Sequence, residues 1–142
     1  MSKVQSNAYV VDERLFKFVL EMEVRKAFRI QYPLLLLTIV RQMPPATRGS
    51  AGFADVGSIV EPLSRVIRAG DLIGLVPTGP ALRVLLVDAY LEDADVVIER
   101  IREEFPPEAT LRFGVACFPG TATTVEGLLG RADAGVGLVA VG

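Results

Sequence analysis

Few side chains in this 142-residue chain could act as nucleophiles, general bases or metal ligands. The chain contains no histidine, which excludes Ser-His and Cys-His nucleophile pairs, histidine bases and the common zinc sites. Its single cysteine, Cys117, has no second cysteine for an internal disulfide, which fits a reducing cytosol. A metal site would therefore need carboxylates, and these lie mostly on the surfaces of predicted helices.

The densest group of carboxylates is Asp88, Glu92, Asp93 and Asp95, at the start of a predicted helix. Acidic residues stabilise a helix there through its dipole, so this position favours a structural role over a metal site. Residues 77–80, which include the sequence Thr-Gly-Pro, are more typical of a tight turn than of a phosphate-binding loop, because repeated glycines and a lysine are missing.

Composition narrows the class of protein. Apolar residues make up 51% of the chain and charged residues 23%, as in an ordinary globular domain with one core. The net charge of −2 gives no electrostatic support for binding nucleic acid. No apolar run approaches the ~20 residues that cross a bilayer, and residues 1–7 lack an apolar signal core. We expect a cytoplasmic protein with no nucleic-acid or membrane partner.

The first predicted helix covers residues 12–30, with Asp12 suited to its N-cap. Its apolar residues recur at helical spacing, opposite a charged face. Pro33 then precedes the apolar run Leu34–Val40, which predicts a central strand covered on both faces. The residues predicted for the apolar face of the helix are Phe16, Val19, Leu20, Val24, Ala27 and Phe28.

A loop, a second helix and a hairpin come next. Residues 41–53 contain two prolines and two glycines, which indicate a loop. The next helix is expected to end near Ala69, and Pro62 either kinks this helix or marks its first turn. Two strands over residues 72–76 and 81–87 are predicted to form a hairpin with turn residues at its tip.

The remaining elements are a helix over about residues 91–105, a strand over 111–118 and a fourth helix. Thr123 and Glu126 have the capping-box spacing that starts this last helix. Residues 136–141 are a candidate for one more short strand. The residues expected to face inward from the third helix are Leu91, Ala94, Ile98, Ile101 and Phe105.

The predicted order α-β-α-β-β-α-β-α places a hairpin among strands that helices connect. This order indicates a mixed central sheet with helices packed on it, in the α/β or α+β class. We expect a single domain over residues 12–142, preceded by a tail over residues 1–11. Pattern alone predicts no function.

Beyond this pattern, the chain resembles GGDEF domains, the fold of diguanylate cyclases, from about Asp12 to Ala134. The first helix resembles the helix start of the family at Arg14 and Phe16. The sequence Asp-Leu-Ile at residues 71–73 resembles the family's entry to its hairpin, and Phe-Gly-Val-Ala at 113–116 resembles a later strand. The resemblance implies a palm-like nucleotide-cyclase fold with a ferredoxin-like core.

The residues that the resemblance assigns to catalysis are missing. The family's metal-binding Asp-x-Asp pair falls on Thr38 and Val40, and its Gly-Asp-Glu-Phe signature falls on Gly-Pro-Ala-Leu at residues 79–82. The family's sequence before the first helix is absent here, and a different and shorter segment, which begins with Gln-Met-Pro-Pro at 42–45, replaces its loop after the first strand. We therefore expect no cyclase activity, no catalytic metal site and no cofactor.

A second site of the family, which binds the product cyclic di-GMP, does resemble this chain. Its Arg-x-x-Asp motif falls on Arg68 and Asp71, and an assisting arginine falls on Arg100. A guanidinium can hydrogen-bond a guanine edge and phosphates or stack on a base, and a carboxylate can accept from guanine N1 and N2. The resemblance thus implies a cyclic di-GMP site at these three residues.

Ordinary structural roles also account for these residues. Arg68 lies at a predicted helix C-terminus, where a cation is favourable by about 0.3–1 kcal/mol, and Asp71 before a strand is common in turns. Arg100 could be a solvated helix residue that pairs with a nearby carboxylate, such as Asp93, Asp95 or Glu104.

Two functions remain open. The first is a non-catalytic regulatory domain that binds cyclic di-GMP through the Arg-x-x-Asp motif. The alternative is a protein–protein interaction or dimerisation module that binds no nucleotide, with a second copy as the first partner to consider. The mean hydropathy of +0.42 suits a self-associating surface.

Overall fold

A computed structural model describes residues 2–3, 9–42, 57–68, 71–76 and 81–137. Within these ranges the chain forms six strands, four α-helices and a short 3-10 helix at Leu91–Asp93. In chain order the strands and α-helices are β1 (Ser2–Lys3), β2 (Tyr9–Val11), α1 (Glu13–Ile30), β3 (Leu34–Gln42), α2 (Gly57–Ser64), β4 (Leu72–Leu75), β5 (Ala81–Val87), α3 (Ala94–Glu103), β6 (Thr110–Phe118) and α4 (Val125–Ala134).

The six strands form one mixed sheet in the order β1-β2-β4-β5-β3-β6. Strand β3 lies between β5 and β6 and is antiparallel to both, which confirms the predicted central strand. Strands β4 and β5 form the predicted antiparallel hairpin, and its tip at residues 77–80 lies outside the described residues. Strand β2 runs parallel to its neighbour β4, which makes the sheet mixed.

Helices cover both faces of the sheet. Alternate residues of β3 point to opposite sides of the sheet, and each side packs on a different pair of helices. Leu34 and Leu36 pack in a cluster with α1 and α4. Leu35, Leu37 and Ile39 pack in another with α2 and α3. The predicted mixed sheet with packed helices is therefore confirmed.

Helix α1 begins where its sequence predicts. The Asp12 carboxylate accepts a hydrogen bond from the Leu15 N–H at 2.8 Å, which satisfies a backbone donor that the helix leaves unpaired. Phe16 and Leu20 are fully buried, but Phe28 is 78% exposed, so its predicted place on the buried face is wrong. Phe28 follows the buried Ala27, and one residue rotates a side chain by about 100° around a helix.

Helix α4 packs very closely on the sheet. A Cβ at Gly114 of β6 would overlap the carbonyl oxygen of Ala132, and a Cβ at Gly135 would lie 2.6 Å from the Gly114 Cα. Only glycine permits this approach of helix and strand backbones. The close packing brings the neighbouring Asp133 onto the face of the sheet.

The N-terminal stretch differs from the predicted tail. Tyr9–Val11 pairs with β4, in the register Val11 to Gly74, and Val11 is 2% exposed. A three-residue strand is too short to show a periodic pattern, so the sequence did not predict it.

Several predicted boundaries also shift. Helix α2 ends at Ser64, not near Ala69, and Pro62 lies in its interior rather than its first turn. The third α-helix begins at Ala94, because Leu91 lies in the 3-10 helix, where its side chain is 43% exposed rather than inward-facing. The spacing of apolar residues predicts such helix boundaries poorly, because they depend on local hydrogen-bond geometry.

Two further predictions concern the ends of β3 and α4. Residues 41–42 belong to β3, and residues 43–53 of the predicted loop lie outside the described residues. The N-cap of α4 is Thr124, which accepts from the Gly127 N–H at 3.0 Å, so the prediction of Thr123 was off by one residue. Residues 136–137 form a turn, and the rest of the predicted last strand lies outside the described residues.

Candidate functional site

Arg68, Asp71 and Arg100 line one cavity of about 350 Å³. Arg68 lies four residues after α2, Asp71 directly before β4 and Arg100 on α3. The structure therefore brings together the three residues that the sequence analysis singled out. The remaining lining residues come from the end of α2, the end of β5 with the segment after it, and α3: Val66, Ile67, Leu86, Asp88, Ala89, Asp93, Val96 and Val97.

The Asp71 carboxylate is held by three hydrogen bonds within the fold. One oxygen, Oδ1, accepts from the Val87 N–H at 3.2 Å. The other, Oδ2, accepts from the Arg68 N–H at 3.2 Å and from Arg68 Nε at 3.4 Å. Because only 3% of the residue is exposed, Asp71 forms the floor of the site rather than its surface.

Arg68 completes the same arrangement from the solvent side. Its Nη2 donates to the Val87 carbonyl at 3.1 Å, so Arg68 and Asp71 together satisfy both backbone polar groups of Val87. Strand β4 starts at Leu72, opposite Leu85, and does not reach Val87. The Arg-x-x-Asp motif thus supplies the hydrogen bonds that a longer β4 would supply.

Burial affects the ionisation of Asp71. Desolvation raises the pKa of Asp71, and it outweighs the hydrogen bond from Val87 and the charge of Arg68, which both lower that pKa.

Arg68 remains available to a ligand, since its side chain is 65% exposed. A guanidinium has five N–H donors, and the bonds to Asp71 and Val87 use two of them.

Arg100 and Asp88 are the least constrained charged groups at the cavity. Both are exposed, and within the described ranges neither side chain has a hydrogen bond or an ion pair. Arg100 does not pair with Asp93, Asp95 or Glu104. Its guanidinium can therefore bind an anion without breaking a contact.

The positions where the resemblance expects metal-binding carboxylates hold a closed network. Thr38 Oγ1 donates to Asp133 Oδ1 at 2.7 Å, and Arg83 forms a two-pronged ion pair with Asp133, with Nη2 to Oδ2 at 2.6 Å and Nε to Oδ1 at 3.3 Å. Thr38 lies opposite Arg83 in the β3–β5 register and is fully buried. Val40 and Ala81, which lie opposite each other two residues further along the same strands, are also buried.

The sequence pattern did not predict that Arg83 and Asp133 are partners. A lone arginine in the apolar strand Ala81–Val87 was the available signal, since a charge in a central strand requires a buried counter-ion. In the described part of the chain, no group of three or more acidic or cysteine side chains could hold a metal ion. No helix described here is long and apolar enough to cross a membrane.

A second, larger cavity of about 740 Å³ lies at the end of α1. Its rim includes Phe28, Tyr90 and Leu91, which are 78%, 57% and 43% exposed. Tyr32 also lines it, and burial together with its hydrogen bond to Glu23 raises the pKa of Tyr32 to about 12. We refer to this region as the aromatic groove; no pattern in the sequence predicted it.

The known proteins that match this chain are solved structures that share one fold. No protein-family model and no curated protein sequence matches the chain. Solved structures do match it. The GGDEF domain of YfiN (TpbB) from Pseudomonas aeruginosa superposes with a TM-score of 0.77 at 22% identity, over 87% of this chain and 86% of that one.

Two further structures with this fold were solved as complexes. The GGDEF domain of DgcB from Caulobacter crescentus, in complex with cyclic di-GMP, has a TM-score of 0.71 at 13% identity, over 93% of this chain and 84% of that one. Diguanylate cyclase SiaD from Pseudomonas aeruginosa, in complex with its activator SiaC, has a TM-score of 0.68 at 21% identity, over 88% of this chain and 53% of that one. With the sheet order and the helices on both faces, these likenesses establish that the chain has the fold of GGDEF domains.

Proposed function

We propose that this chain is a non-catalytic regulatory domain that binds cyclic di-GMP at the cavity of Arg68, Asp71 and Arg100. The observation that carries the proposal is the convergence of these three residues, from three separate segments, on one cavity. Sequence spacing alone did not require this convergence. DgcB, which has the same fold, was crystallised with cyclic di-GMP.

The chemistry of the cavity matches such a ligand. Arg100 makes no ion pair within the described ranges, and Arg68 has unused donors, so two guanidinium groups are available to phosphate oxygens or to the face of a base. Carboxylates line the same cavity and can accept from the N–H donors of a guanine edge.

The proposal of a domain without cyclase activity is supported by the Thr38–Asp133–Arg83 network. Phosphoryl chemistry on a nucleoside triphosphate uses carboxylates that hold divalent metal ions against the phosphates. Here Thr38 is a hydroxyl donor, and the nearby Asp133 is already neutralised by Arg83. We expect no conversion of GTP to cyclic di-GMP with magnesium or manganese, as measured by chromatography of the products.

Binding is tested by calorimetric titration of cyclic di-GMP into Arg100→Ala. We expect the affinity to fall by about tenfold or more, because a charge-assisted hydrogen bond is lost. Arg25→Ala, an exposed arginine on α1 that does not line the cavity, is the matched control and should bind like the wild type. Equal affinities in both variants would reject the cavity as the site.

The aromatic groove favours a second candidate function, a protein-interaction module. Exposed aromatic and aliphatic side chains around a cavity are typical of interaction surfaces, and SiaD shares the fold and binds the protein SiaC. Self-association is the first case to test. Under this alternative, Phe28→Glu converts a dimer into a monomer in sedimentation velocity, whereas Arg100→Ala leaves the oligomeric state unchanged.

A further inference from the structure

We propose that Asp88, rather than Asp71, is the carboxylate that selects a guanine base in this cavity. The inference rests on the proposed binding of cyclic di-GMP and adds the residue that sets its base specificity. Three carboxylates line the cavity, at Asp71, Asp88 and Asp93, and the inference follows from which of them already accept hydrogen bonds within the fold.

Asp71 is poorly placed to contact a ligand. Its two oxygens accept three hydrogen bonds from Val87 and Arg68, and the residue is 3% exposed. A base could donate hydrogen bonds to both oxygens of this carboxylate only by displacing the backbone N–H of Val87. That displacement would leave a partly buried donor without a partner, which is unfavourable.

Asp93 is also engaged. Its Oδ2 accepts from the Tyr90 N–H at 2.8 Å, in a cap that closes the 3-10 helix. Using Asp93 for the ligand would therefore compete with the start of the helix that carries Arg100.

Asp88 is exposed, lines the cavity and has no side-chain partner among the residues that the structure describes. Its position is fixed by the backbone: its N–H donates to the Pro33 carbonyl at 2.8 Å, and its φ is 61°. This left-handed conformation is uncommon for residues other than glycine, and aspartate and asparagine adopt it more readily than most. The backbone thus holds an unengaged carboxylate at the cavity.

A carboxylate with two free oxygens is complementary to a pair of adjacent N–H donors. The Watson–Crick edge of guanine presents such a pair, N1–H and N2–H, whereas adenine presents one donor beside an acceptor. Arg68 and Arg100 recognise the phosphates or the base face in either dinucleotide. Asp88 is then the group that distinguishes cyclic di-GMP from cyclic di-AMP.

The decisive variant is Asp88→Asn, because asparagine also tolerates the left-handed backbone and keeps the side-chain size. The electrostatic effect and the hydrogen-bonding effect of this change have opposite signs. If Asp88 only contributed charge, removing it would strengthen binding of a ligand with two phosphates. If Asp88 accepts from guanine, the variant should bind cyclic di-GMP roughly 10- to 100-fold more weakly.

The experiment is calorimetric titration of cyclic di-GMP and cyclic di-AMP into wild type, Asp88→Asn and Asp95→Asn. Asp95 is an exposed carboxylate on α3 that does not line the cavity, so its variant controls for net charge. We expect the preference for guanine to shrink by tenfold or more only in Asp88→Asn. Unchanged or tighter binding in that variant overturns the role of Asp88 and leaves the receptor function standing. A wild type that binds neither dinucleotide overturns both.

Discussion

Asp71 accepts a hydrogen bond from the Val87 N–H at 3.2 Å and thereby joins the start of β4 to the end of β5. Arg68 donates to the carbonyl of the same residue at 3.1 Å. Two side chains of the Arg-x-x-Asp motif therefore hold the sheet together at the edge of the cavity. The motif thus has a structural role, and Arg68 keeps unused donors toward solvent that the proposed ligand could accept from.

The first prediction concerns the structural role of Asp71. Asp71→Ala leaves the Val87 N–H and the Arg68 N–H without acceptors, so we expect the free energy of unfolding to fall by about 1–3 kcal/mol. Urea denaturation followed by circular dichroism measures this loss. Asp95→Ala, an exposed control, should change stability by about 0.5 kcal/mol at most. Equal stability of the two variants would contradict the bonding described.

The second prediction concerns pH. Burial raises the pKa of Asp71 in the fold above its value in the unfolded chain, so the folded state binds the proton more tightly. The contribution of this group to stability is then fully present below the unfolded pKa and is lost as the pH rises through the folded pKa. The stability advantage of wild type over Asp71→Asn should therefore grow as the pH is lowered through the acid range. An advantage that shrinks with acid would show that the charge pair with Arg68 dominates instead.

The third prediction concerns the ion pair of Arg83 and Asp133, whose side chains are 11% and 17% exposed. Arg83→Met leaves the Asp133 carboxylate without its counter-ion, and we expect a loss of about 3 kcal/mol. The double variant with Asp133→Leu should recover part of this loss, because both charges are then removed. A double variant less stable than the single one would contradict this account.

The fourth prediction compares two phenylalanines of α1. Phe16 is 1% exposed and packs on Gly74, so Phe16→Ala should cost about 3–5 kcal/mol. Phe28 is 78% exposed, and Phe28→Ala should change stability by about 0.5 kcal/mol or less. Thermal unfolding of both variants at one protein concentration measures the difference. A large loss at Phe28 would indicate that its surface is covered by another molecule.

The sequence predicted those parts of the fold that follow a regular apolar period. The long run Leu34–Val40 and the periodic residues of α1 identified the central strand and the first helix. The strand at Tyr9–Val11 and the early end of α2 depend on strand pairing and local backbone geometry. The spacing of apolar residues does not predict either feature. Phe28 shows the limit of the helical pattern, since an apolar residue at the edge of a stripe can face solvent.

The candidate site could be predicted only in part. A resemblance assigned Arg68, Asp71 and Arg100 to one site, but their contacts arise from tertiary structure. The sequence did not indicate that the Asp71 carboxylate accepts a hydrogen bond from the Val87 N–H. It also did not indicate that the Asp88 side chain has no partner among the described residues. The Arg83–Asp133 pair joins residues 50 positions apart, and a single sequence does not report such long-range pairing.

The measurement that tests the central claim most directly is calorimetric titration of cyclic di-GMP into the wild-type domain and into Arg68→Ala. Circular dichroism of both proteins establishes that each is folded. We predict saturable binding to wild type and an affinity at least tenfold lower in the variant. No binding to folded wild-type protein, or equal affinity in both proteins, would contradict the account.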